Sequence, residues 1–223
     1  MLEKLFQNPK PLDKDGDREL KIRPLSNFKH SDGTNIVPLY AGEMLEASKR
    51  YPVVFAKDVN GYMPIAILGH TEGVNNFVDK QGAWREDCYI PALLRTYPFA
   101  VAENEGNFFI VADRAYKGFA GDGERIFNED GTPTELGGSI VKNVSEVFSA
   151  LRFTAGLMAE LDGLFKDVSM SFEKHGKRFE LTDVKIIDEE KLNALDGAKL
   201  AELREKKVLP IIYQHLLSLS NRV

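Results

Sequence analysis

Short apolar runs separated by turn residues characterise the first two-thirds of the chain. Val53–Phe55 and Met63–Leu68 flank an Asn-Gly pair at 60–61, which is typical of a two-residue hairpin turn. Val101–Glu103 and Phe108–Ala112, joined by a polar stretch, show the same pattern. This part of the chain is therefore predicted to form antiparallel sheets, with short helices between the strands.

Helical periodicity appears at two places. A first apolar stripe begins at Val37-Pro38 and must stop before Pro52, because the residue before a proline avoids the α-helical region. A much longer stripe runs from Ile140 to Leu161. It predicts an amphipathic helix of about six turns that ends near Gly163.

The last quarter of the chain predicts a strand pair and a group of short helices. Val168–Phe172 and Phe179–Ile187 have strand character around a His-Gly turn at 175–176. From about 188 to 223 the pattern predicts two or three short helices, with Asp188 and Asp196 as N-caps. Strands followed by helices in this order favour an α+β fold over a parallel βαβ array.

The domain organisation follows from the same pattern. Residues 1–20 are polar, with two prolines and an acidic run, and are predicted to form an extended arm that docks through Leu2, Leu5 and Phe6. Residues 21–223 are predicted to form one α+β domain, which is long enough to bury a core without metal or disulfide support.

Charge and composition exclude several classes of function. The net charge of −5 argues against nucleic acid as a partner, because binding phosphate backbones needs clustered Lys and Arg. No apolar run approaches the roughly 20 residues needed to cross a bilayer, and the N-terminal residues lack the pattern of a secretory signal. We therefore expect a cytoplasmic protein without membrane insertion. Its single cysteine, Cys88, cannot form an intramolecular bridge.

One short motif could bind a metal ion. His30 and Asp32 have the spacing of the two-histidine, one-carboxylate triad of iron oxygenases. A third ligand would have to come from His70, His175 or His215. The Asp-Gly pair at 32–33 is equally typical of an ordinary turn, and the sequence otherwise predicts no metal and no cofactor.

The most distinctive stretch of the chain is the segment 74–99, called here the aromatic segment. It holds the single tryptophan together with two tyrosines, two phenylalanines, two arginines and two prolines. Aromatic rings beside arginines are typical of binding hot spots. The candidate binding residues are therefore Trp84, Arg85, Tyr89, Arg95 and Tyr97. The alternative is that the rings fill the core where a short helix crosses the sheet.

Several stretches of the chain resemble a known family. They occupy 37–44, 51–55, 76–84, 89–99, 126–131, 187–192 and 212–218. In this order they resemble the bacterial SapC-like proteins. The resemblance implies an association with the production and export of surface-layer proteins, and in other settings with outer-membrane nutrient uptake. It assigns no catalytic residues. The family's paired arginine stands here as Arg95-Thr96, which weakens the prediction of a paired-arginine anion clamp.

Three functional hypotheses remain open at this point. The first is a non-enzymatic accessory protein for cell-surface or exported proteins, which docks a peptide or partner chain through the aromatic segment. The second is an iron oxygenase-like enzyme that acts on a protein or peptide through His30 and Asp32. The third is a scaffold that associates through an exposed apolar face on its C-terminal helices.

Overall fold

The computed structural model describes residues 5–58, 61–174 and 177–221, with side chains described outside 172–179. Antiparallel sheets, one long helix and several short helices make it an α+β fold, as predicted.

Ten strands form three antiparallel sheets in the described residues. They are β1 (Pro9–Pro11), β2 (Lys21–Ile22), β3 (Ile36–Pro38), β4 (Val53–Asp58), β5 (Gly61–Ile67), β6 (Phe99–Asn104), β7 (Asn107–Asp113), β8 (Glu124–Arg125), β9 (Phe165–Lys174) and β10 (Lys177–Ile187). The sheet orders are β1-β7-β6, β3-β5-β4-β10-β9 and β2-β8.

Three predicted hairpins are present. β4 pairs with β5, β6 with β7 and β9 with β10, so the apolar runs between turn signals are confirmed as strands. The strands extend beyond the predicted ranges because their polar ends continue the pairing. The turns predicted at 60–61 and 175–176 involve residues 59–60 and 175–176, which lie outside the described residues.

The helix predicted from Val37 is wrong in its first part. Ile36–Pro38 pairs antiparallel with β5 at the edge of the five-stranded sheet. An edge strand tolerates Pro38, which has no N–H to donate, because one side of that strand has no neighbouring strand. A 3-10 turn at Ala41–Glu43 then leads into α1 (Met44–Ser48). The helix ends before Pro52, as expected.

Six α-helices lie in the described residues. They are α1, α2 (Ala92–Arg95), α3 (Glu135–Met158), α4 (Glu189–Asn193), α5 (Gly197–Glu205) and α6 (Leu209–Ser218). The predicted caps are confirmed, because the carboxylates of Asp188 and Asp196 accept hydrogen bonds from the N–H groups of Glu190 and Lys199. The long helix α3 begins earlier than its apolar stripe because Thr134 caps it.

The N-terminal arm is held by one buried carboxylate. Leu5 and Phe6 are buried in the core, as predicted, whereas Leu2 lies outside the described residues. Asp113 is 0% exposed and accepts hydrogen bonds from the N–H groups of Gln7 (3.0 Å) and Asn8 (2.8 Å). β1 then continues the arm along β7. The arm is therefore joined to the three-stranded sheet, and the boundary at residue 20 stays a prediction.

A second buried polar group joins α6 to the five-stranded sheet. The His215 ring is 0% exposed; its Nδ1 donates to the carbonyl of Val53 (2.8 Å), and its Nε2 accepts from the N–H of Ile187 (3.1 Å). Ser218 Oγ accepts from the N–H of Val53 (3.0 Å). Helix α6 thus satisfies backbone groups at the ends of β4 and β10.

None of the helices in the described part of the chain combines the length and apolar character that crossing a membrane requires.

Candidate functional site

A groove of about 570 Å³ runs beside α3. We call it groove A. Residues from the loop after β2, from the aromatic segment and from one flank of α3 form its walls, including Arg23, Arg95, Tyr97, Ile140, Asn143 and Val147. It brings together residues that are far apart in the sequence, and two of them are predicted binding residues.

The side chain of Arg95 is held in a fixed position at groove A. Its Nε donates to the carbonyl of Ile90 (3.1 Å), and Nη2 donates to the hydroxyl of Tyr89 (3.1 Å). The guanidinium carbon lies 5.7 Å from the centroid of the Tyr89 ring, within the range of cation–π attraction. A guanidinium carries five N–H donors, so these two contacts leave donors for a ligand.

A buried carboxylate, that of Glu43, is linked to Arg95 through the hydroxyl of Tyr89. Glu43 is 3% exposed, and its Oε2 accepts from the Tyr89 hydroxyl (2.9 Å) and the N–H of Ala92 (2.8 Å). Burial raises the pKa of Glu43, and the hydrogen bonds oppose that rise. Burial also raises the pKa of Tyr89, and the nearby Glu43 carboxylate adds to the rise. The chain from Glu43 through Tyr89 fixes the orientation of Arg95.

Tyr97 lines groove A but is mostly a core residue. It is 8% exposed, and its hydroxyl donates to Asp113 Oδ2 (3.0 Å). Its ring stacks on His30, with 4.1 Å between centroids and 7° between planes. Burial and the Asp113 carboxylate raise the pKa of Tyr97. Burial alone would raise the pKa of Asp113, but its hydrogen bonds lower that pKa below the usual value.

The three other predicted binding residues, Trp84, Arg85 and Tyr89, lie outside the lining of groove A. Trp84 is half-buried and packs edge-on against Phe28, with 5.7 Å between centroids. Arg85 is exposed, and its guanidinium carbon lies 5.8 Å from the centroid of Phe77. The aromatic segment therefore divides into a groove end at Arg95 and a packed end at Trp84.

The rim of groove A carries charges of both signs. Arg23 forms an ion pair with Asp122 (2.6 Å). Glu124 and Glu146 line the groove as carboxylates, and both are exposed. A ligand in this groove would therefore meet donors and acceptors along a partly apolar floor.

One family model matches the sequence. Its description is SapC, and it covers residues 12–222. The chain belongs to the SapC family. No curated protein and no solved structure matches it. The resemblance seen in the sequence is thus confirmed over nearly the whole SapC chain.

The candidate metal ligands of this SapC chain have other partners. His30 Nε2 lies 3.1 Å from the carbonyl of Leu94, and burial lowers the pKa of this histidine to about 4. Asp32 is exposed and forms an ion pair with Lys29 (2.5 Å). Among the residues described in the structure, no group of three or more His, Cys, Asp or Glu side chains could hold a metal ion. His175, one possible third ligand, lies outside those residues.

The groove residues on α3 are those that sequence reasoning missed in the SapC chain. The apolar stripe from Ile140 to Leu161 predicts a buried helix face, yet Ile140, Val147 and Leu151 are only half-buried. The apolar stripe of α3 is wider than the face of the helix that the core covers. This excess width is the signal that could have indicated open space beside the helix. Polar Asn143 and the distant Arg23 have no local pattern that marks them.

Proposed function

We propose that this SapC-family chain is a non-enzymatic binding protein that docks an extended peptide or partner-chain segment in groove A. Arg95 carries the proposal, because it is an arginine of the aromatic segment fixed at the wall of a groove with donors to spare. Arginine is one of the residue types enriched among binding hot spots. Fixing it before binding reduces the entropy lost on association.

The shape of groove A favours an extended chain over a compact ligand. Its lining follows α3 from Leu136 to Ala150, a distance of about 21 Å along the helix axis. An extended peptide rises about 3.3 Å per residue, so roughly six residues fit along that length. The mixed charges of Arg95 and Glu146 suit the alternating polar groups of a peptide.

The biological setting of the proposal comes from the family resemblance. SapC-like proteins are linked to surface-layer protein production and export, so we place the bound segment in a cell-surface or exported protein. We place the binding step in the cytoplasm, where such chains are synthesised.

Site-specific photo-crosslinking can identify the bound segment. A photoreactive amino acid replaces Asn143, which lines groove A, and in a matched protein it replaces Lys142, which does not line it. After illumination in cells, we expect mass spectrometry to find one peptide sequence attached at position 143 and not at position 142. Equal products at both positions would contradict the proposal.

Calorimetric titration with that peptide then tests the arginine. Arg95→Ala removes a charged hydrogen-bond donor worth about 1.5–3 kcal/mol, so we expect affinity to fall at least about tenfold. Arg85→Ala, an exposed arginine of the same segment outside the groove lining, is the matched control. Unchanged affinity in a folded Arg95→Ala protein would contradict the proposal.

A further inference from the structure

A second cavity lies beside the other flank of α3. We call it groove B. It has a volume of about 410 Å³, and its walls are mainly apolar, including Met63, Ile65, Leu93, Ala100, Leu151 and Ala155. Groove B shares Thr96, Val144 and Val147 with groove A. Pockets of roughly 300–1,000 Å³ accept small molecules, so groove B is at the small end of that range.

The exposed lining of groove B carries two cations. Arg152 and Lys57 are exposed lining residues, and Asp58 is the one carboxylate in the same lining. The Arg152 guanidinium carbon lies 4.9 Å from the centroid of the Phe108 ring and 5.9 Å from that of Phe148. These two rings hold the guanidinium beside the apolar cavity.

The two cations have no carboxylate partner in the described part of the chain. The ion pairs there involve other lysines and arginines, and neither Arg152 nor Lys57 donates a side-chain hydrogen bond to a described residue. An arginine held by aromatic rings without an acidic partner is suited to bind a carboxylate from outside, since its planar fork can form two parallel hydrogen bonds.

We propose that groove B binds a free medium-chain fatty acid. Its acyl chain lies against the apolar walls formed by Met63, Leu93 and Ala155, and its carboxylate pairs with Arg152 and Lys57. Each buried methylene contributes about 0.8 kcal/mol, so chain length sets the affinity until the cavity is full. A cavity of 410 Å³ is too small for the two acyl chains of a phospholipid. The proposal does not rest on peptide binding in groove A.

Calorimetric titration with decanoate, decanol and decyltrimethylammonium tests the head group. The chains are matched, so a difference in affinity reports the charge at the lining of groove B. We expect decanoate to bind at least about tenfold more tightly than decanol, because a charged hydrogen bond is lost, and the cationic ligand to bind most weakly. Octanoate should bind more weakly than decanoate. Equal affinity for decanoate and decanol, or no binding of decanoate, would overturn the proposal.

Substitutions on α3 locate the site. Arg152→Met keeps much of the packing on the two phenylalanine rings and removes one of the two cations, so decanoate affinity should fall towards that of decanol. Lys142→Met removes a cation from the same helix outside both linings and should leave affinity unchanged. Leu151→Trp fills the cavity and should abolish binding in a protein with an unchanged circular dichroism spectrum. Retained affinity in folded Arg152→Met and Leu151→Trp proteins would overturn the proposal.

The two binding proposals can fail separately. Arg95→Ala should leave decanoate affinity unchanged, because Arg95 lines only groove A. Loss of decanoate binding in that variant would mean that the fatty acid occupies groove A, which would overturn the assignment to groove B.

Discussion

Helices α3 and α6 are used in opposite ways. The ten residues of α6 bury Ile211, Ile212, His215 and Ser218, and the last two satisfy backbone groups of the sheet. Only five of the 24 residues of α3 are buried, and a groove opens along each flank of this helix. Both helices make buried polar contacts, since Thr154 of α3 accepts from the N–H of Ala41 (2.8 Å), but only beside α3 do these two grooves leave open space.

Removing the imidazole of α6 should have the largest effect on stability. His215→Leu leaves the N–H of Ile187 and the carbonyl of Val53 buried without partners, at about 1–3 kcal/mol each. We expect the free energy of unfolding, measured by urea titration, to fall by about 3 kcal/mol. Tyr213→Ala, at a position on the same helix that is 52% exposed, is the control and should cost less than about 1 kcal/mol. Equal losses would show that α6 does not depend on its buried histidine.

Acid should weaken the attachment of α6 to the sheet. Burial lowers the pKa of His215 to about 4, from an ordinary value of 6.5. The unfolded chain therefore binds a proton below pH 6.5 that the folded chain does not bind until near pH 4. Stability from this group is complete above pH 6.5 and is lost as the pH falls towards 4, by about 1 kcal/mol per pH unit. His30, whose pKa burial also lowers to about 4, should add to the loss.

Urea titrations at several pH values between 7 and 4 measure this slope. The His215→Leu protein should show a shallower slope than the wild type by the amount that His215 contributes. An unchanged slope in that variant would assign the acid sensitivity to other groups.

A large side chain on α3 should have the smallest effect on stability. Val147 is half-buried and lines both grooves, so the indole of Val147→Trp enters open space and should change the free energy of unfolding by less than about 1 kcal/mol. Binding in both grooves should be lost. Ile212→Trp on α6, at 0% exposure, overpacks a closed site and should cost about 3 kcal/mol. Similar losses in the two variants, measured by urea titration, would remove the contrast between the helices.

Local signals in the sequence predict most of the fold. The Asn-Gly pair at 60–61 separates two runs that do pair, and Asp188 and Asp196 do cap helices, because each of these features depends on a few neighbouring residues. The strand Ile36–Pro38 escaped prediction because it is short and contains a proline. Its pairing with β5 is a tertiary contact that overrides local preference.

The candidate site is predictable only in part. Arg95 and Tyr97 belong to one unusual segment, and the structure places both on groove A. Arg23 and Asn143 reach the same groove through chain folding, and nothing near them in the sequence distinguishes them from ordinary surface residues. Sequence patterns identify the side chains that a segment carries, whereas the space between segments exists only in the folded chain.

The contact between α6 and β4 also sets an order of assembly during synthesis. Val53 is made early, yet its carbonyl and its N–H find their side-chain partners 162 and 165 residues later, in His215 and Ser218. Until α6 is synthesised, these two groups of β4 lack the side chains that satisfy them in the folded chain. Contacts of such long sequence separation form slowly, so the nascent SapC chain remains open at this edge until helix α6 emerges.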